Sequence, residues 1–184
     1  MAIYLFIILL IASTLNVTEI GYVAAFLEQK FILKKVLFRF AVCSAIVVAL
    51  MCLGGLLGKF GSQFLESYLN NWFAASLLFV LSLKSAYDAV KLAPSKRAIN
   101  PTFFGGLLSS TTFVAINAFI YMLALGFLQM PIFPIVLLTI PMFLVALLIV
   151  GIVGIRQQKI PRIQSEWILS AISLLCSLII IYNK

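Results

Sequence analysis

Asn16, Thr18 and Glu19 near the start of the chain, and Thr112 and Asn117 past its middle, are polar side chains set inside long apolar runs. Groups of this kind are costly away from water, and by default they mark a site. Glu19 is the acid that lies farthest from any break in the apolar pattern. It shares a helical face with Asn16, three residues earlier. Amide and carboxylate oxygens suit a hard cation, and a deep carboxylate can also carry a proton. This makes Asn16, Glu19 and Asn117 candidate metal ligands, with Thr18 and Thr112 as further candidate ion-binding hydroxyls. Plain alternatives stand beside that reading. Glu19 could be a protonated acid in an interhelical hydrogen bond, and the two Asn could be satisfied interhelical amides.

Other residues carry less. Lys84 and Asp88 are four apart in the less favourable order, base before acid, and read as a snorkelling pair that fixes orientation at a helix end. Ser109, Ser110, Thr111 and Thr112 read as interhelical glue. His is absent, which excludes Ser-His and Cys-His catalysis, His-ligated zinc and haem, and a histidine proton switch. Cys43, Cys52 and Cys176 are odd in number, form no CxxC pair and lie in apolar runs, so they read as inert buried thiols. No phosphate-binding glycine loop is present. With one deep carboxylate and no His, neither an acid–base pair nor an activated nucleophile can be assembled. The chain is not expected to be an enzyme or to hold a cofactor.

The elements that must position these residues follow from composition. Of 184 residues, 64% are hydrophobic and 10% charged, with mean hydropathy +1.21. Soluble domains run at roughly 45–50% apolar and about 25% charged. A bilayer core needs about 20 apolar residues per helix. Six stretches qualify: 2–27, 36–58, 69–90, 103–127, 132–155 and 163–182. The expected fold is therefore an all-α membrane protein of six transmembrane helices, in one domain spanning 1–184 with no separate soluble part. The first stretch does not read as a signal peptide, because it lacks a basic lead and stays apolar through Phe26.

The net charge of +8 reads as a topology signal rather than as nucleic-acid binding. All the basic residues except Lys59 and Lys184 fall in or beside the first, third and fifth breaks between the six stretches. Those breaks are expected to face the cytoplasm, with both termini outside. Three helices per half then give two inverted repeats, 1–92 and 100–184. An offset of 101 residues pairs Asn16 with Asn117 and Phe26-Leu27 with Phe127-Leu128. At 1.5 Å per residue, both Asn would sit roughly 20 Å in, near the midplane. Gly54, Gly55 and Gly58, like Gly151 and Gly154, favour close helix approach. Pro141 is expected to kink the fifth helix. Tyr68, Trp72, Trp167 and Tyr182 read as interfacial anchors.

Ser13-Thr-Leu-Asn16-Val and Ala115-Ile-Asn117-Ala-Phe119 resemble the two site segments of the MntP family of small bacterial manganese exporters, a branch of the six-helix superfamily that includes the lysine exporters. The resemblance continues through Leu53-Gly-Gly-Leu-Leu-Gly58, through Asn71-Trp72 to Lys84-Ser-Ala-Tyr-Asp88, through Gly126-Phe-Leu-Gln129, and from Gly151-Ile-Val-Gly154 to Glu166. It implies a multi-pass protein of the bacterial inner membrane that exports manganese or another divalent cation by alternating access. The family's two Asp positions are Asn16 and Asn117 here, and a further acidic position matches Val47. Thr18-Glu19-Ile20-Gly21 is also similar to the motif of Golgi-type cation/proton exchangers, with Tyr22 in place of its Asp. Divalent-cation efflux is therefore one expectation. An exporter of a less charged substrate, or a non-transporting subunit, is the other. The partners expected are the lipid bilayer, a divalent cation, and a second copy or a partner membrane subunit, with no nucleic acid.

Overall fold

The computed structural model describes residues 33–91, 105–141 and 162–182, and the described residues are all helical apart from short turns. The helices are α1 (Leu33–Ser62), α2 (Ser67–Lys91), α3 (Gly105–Phe127), α4 (Ile132–Pro141) and α5 (Arg162–Tyr182). They coincide with the second to sixth apolar stretches. The first stretch lies outside the described residues, and with it Asn16, Thr18 and Glu19. The remainder of the fifth stretch beyond Pro141 lies outside as well.

The ends of α1 and α3 have visible causes. The end of α1 carries Gly61 and Ser62, and the Ser62 hydroxyl donates to the Lys59 carbonyl at 2.8 Å. The Asn70 amide then donates to the Ser62 carbonyl at 3.1 Å, tying the start of α2 to the end of α1. At the end of α3, Gln129 takes φ 56°. Its N–H donates to Gly126 at 2.9 Å, and Met130 N–H donates to Leu125 at 3.1 Å. These are the two bonds of a Schellman cap, and Pro131 then prevents the helix from continuing.

Cross-helix contacts give the directions. Gly54 lies against Phe119 and Gly58 against Leu123, so α1 and α3 run parallel. Lys84 meets Asn117 and Phe73 stacks on Phe127 at 5.8 Å, so α2 runs antiparallel to α3. Ser82 meets Ser170 and Ser177 meets Ala75, so α2 is antiparallel to α5 as well. This up–down alternation is what successive crossings of one layer require. It gathers Lys34, Lys35, Arg39, Lys91 and Arg162 at one end of the bundle, with Lys59 at the other.

The core is built from Val47 and Met51 of α1, Leu78 and Leu81 of α2, Val114 and Met122 of α3, and Leu169 and Cys176 of α5. Large apolar side chains also cover the outside, among them Phe38, Leu56, Phe60, Phe79, Val80, Leu137 and Leu178. A surface of that kind is expected of a bundle surrounded by something other than water. Two of the described helices have spans long and apolar enough to cross a membrane, Ala41–Ser62 and Ser67–Val90. The six-helix, two-repeat arrangement reaches beyond the described residues.

Candidate functional site

Three polar bridges tie α2, α3 and α5 together within the bundle. Between α2 and α5, Ser82 and Ser170 bond reciprocally. Each hydroxyl donates to the other residue's carbonyl at 3.0 Å, and Ser177 donates to the Ala75 carbonyl at 2.9 Å. Between α3 and α5, the Tyr121 hydroxyl meets the Ser173 hydroxyl at 2.5 Å, while Ser173 itself donates to Leu169 at 2.8 Å. Between α2 and α3, the Lys84 ammonium donates to Asn117 Oδ1 at 2.8 Å. The same ammonium lies 3.3 Å from Oδ2 of Asp88, one turn on along α2.

The last bridge is the one with unspent chemistry. Asn117 is 0% exposed, and its position twelve residues into α3 places it roughly 18 Å from the helix start. Lys84 and Asp88 are half-buried, with side chains 32% and 18% exposed. The ammonium is donor-only, so it dictates which end of the amide faces it. Oδ1 must point at Lys84, and Nδ2 is left as a buried donor with no hydrogen-bond partner. Asp88 Oδ2 makes no hydrogen bond in addition to the ion pair. Ser85 Oγ, one residue from Lys84, is also buried and unpartnered. Orphaned buried polar atoms are uncommon, and three along one stretch of α2 and α3 concentrate desolvated polarity there.

The predicted site residues are distributed unevenly over this geometry. Asn117 stands at the centre of the α2–α3 bridge. Thr112 lies exposed on another face of α3, and the buried hydroxyl of that run is Thr111. Val47, at the position matched to an acid of the resembled family, is buried in the core. Lys84 and Asp88 do form the expected ion pair, but Lys84 reaches inward to Asn117 as well. No group of three or more His, Cys, Asp or Glu is placed to hold a metal among the described residues. Cys43 and Cys176 are buried free thiols, and Cys52 is half-buried.

Tyr121 and the serines of α2 and α5 were not singled out from the sequence, although a signal exists. Ser170, Ser173 and Ser177 recur at i, i+3 and i+7 on one face of α5, and Ser82 and Ser85 do so on α2. Comparison with protein-family models, with curated proteins and with solved structures returns no match. The site therefore stands on its own geometry.

Proposed function

We propose that this chain is a multi-pass membrane transporter on an exporter-like scaffold, moving a small solute that carries hydrogen-bond acceptors rather than a bare divalent cation. The membrane part of the reading is supported by the two long apolar helices, by the alternating helix directions, and by the apolar outer surface. The gathering of basic residues at one end matches a cytoplasmic face. The transport part is supported by desolvated polar groups deep in the bundle, and by the resemblance of the chain to small manganese exporters.

The observation that carries the choice of substrate is the 2.8 Å contact from Lys84 to Asn117. Asn117 is the described residue that a manganese site of the resembled type would need, and its ligating oxygen is already taken by a positive charge. A divalent ion about 5 Å from that ammonium would be repelled by roughly 7 kcal/mol at an effective dielectric near 20. What Asn117 offers instead is a buried N–H donor. A carbonyl, hydroxyl or carboxylate oxygen on the solute would satisfy it.

The test is made in cells lacking their manganese exporter. Producing this chain should leave manganese content and sensitivity unchanged. A comparison of small solutes retained by the cells should show one oxygen-bearing species depleted by the native chain and not by an Asn117→Leu variant. Protection against manganese by the native chain would overturn the substrate reading. If neither manganese nor any solute moved, the transport reading would give way to a non-transporting subunit.

A further inference from the structure

The α2–α3 bridge has the form of a cation site whose cation is covalently attached. Asn117 Oδ1 from α3 and Asp88 Oδ2 from α2 converge on one nitrogen, at 2.8 and 3.3 Å. Both are hard oxygen donors of the kind that hold Mg²⁺ or Mn²⁺. Asp88 Oδ2 makes no hydrogen bond besides its ion pair with Lys84. A metal at the nitrogen's position would need each oxygen to close in by roughly 1 Å, since metal–oxygen bonds run at about 2.0–2.2 Å for ions of this size. Lys84 is only partly buried, so water can complete a coordination shell.

We infer that Lys84 is a tethered cation occupying a latent divalent-cation site formed by Asp88 and Asn117, and that it is the residue setting the specificity of the chain against metal ions. The inference rests on the proposed non-metal substrate and deepens it, because it names the group that excludes metal. The ammonium fills the place electrostatically and sterically. Neutralising it leaves a carboxylate and an amide oxygen facing a vacated volume the size of a lysine side chain.

The experiment uses full-length protein in detergent and Mn²⁺ alone as the probe, with binding read from the Mn²⁺ electron paramagnetic resonance signal. Lys84→Ala should bind Mn²⁺ at least ten-fold more tightly than the native chain. Lys84→Arg, which keeps the charge, should show no gain, and Lys84→Ala combined with Asp88→Asn should lose it. Should Lys84→Ala fail to fold, Lys84→Gln carries the same expectation with most of the side-chain volume retained. Absence of a gain in a neutral variant whose helicity matches the native chain would overturn the inference and leave the proposed function standing. A gain that survives Asp88→Asn would also overturn it. Native protein that binds Mn²⁺ as tightly as Lys84→Ala would overturn both.

Discussion

The α1–α3 interface and the interfaces of α2 with α3 and α5 hold the same bundle together by opposite means. Between α1 and α3 the backbones themselves come close. A Cβ on Gly54 would collide with the Phe119 carbonyl, one on Gly58 with the Leu123 carbonyl, and one on Gly126 with the backbone of α1 at Gly58 and Lys59. The glycines supply no chemistry, and the attraction is dispersion between closely fitted surfaces. Between α2 and its neighbours the helices are joined by side chains, through Ser82–Ser170, Ser177–Ala75 and Lys84–Asn117. The first kind of contact tolerates almost no adjustment. The second can exchange one partner for another, and the proposed substrate contact is placed on that side for this reason.

The contrast can be broken most severely at the glycines. Gly58→Leu or Gly126→Leu must push α1 from α3, and should cost about 3 kcal/mol or more, read as a lower midpoint of unfolding in detergent. A loss below about 1 kcal/mol at either position would mean the close approach is dispensable. Next in size is Lys84→Met, which leaves the Asp88 carboxylate and the Asn117 oxygen without their cation and should cost about 2 kcal/mol. Adding Asp88→Asn should recover part of that, because the uncompensated charge is then gone. If the double variant were no more stable than the single, the charge would not be the cause. Tyr121→Phe should cost about 1 kcal/mol, since Ser173 keeps its own bond to Leu169. The smallest effect is expected from the reciprocal serines. A double-mutant cycle of Ser82→Ala and Ser170→Ala should give a coupling near 0.6 kcal/mol, and a value indistinguishable from zero would remove the polar bridge from the account of α2–α5 packing.

The helices were readable in the sequence where they are long apolar runs. The stretches 69–90 and 163–182 differ from α2 and α5 by a residue or two. The helix α1 starts three residues earlier than the stretch 36–58 and runs on to Ser62, because Lys34, Lys35 and Lys59 are good helix formers that an apolar count omits. The glycine contacts were legible too, as a small-residue spacing, though not which helix they meet. The site was half legible. Lys84 and Asp88 are four residues apart and pair visibly, whereas Lys84 and Asn117 are separated by 33 positions and no local pattern connects them. The same holds for Thr111 and Thr112. The run announces hydroxyls, but only packing decides that Thr111 turns inward and Thr112 outward.

Among α1, α2, α3 and α5, the extensive contacts, α1 with α3, α2 with α5 and α2 with α3, join a residue before 92 to one after 104. The consequence concerns biogenesis. When the first half of the chain leaves the ribosome, the glycines of α1 still lack α3, and Ser82 and Ala75 of α2 still lack Ser170 and Ser177 of α5. Those contacts cannot form until α3 and α5 are made. Severing the chain between 92 and 104 should therefore yield two pieces that are degraded when produced singly and rescued when produced together.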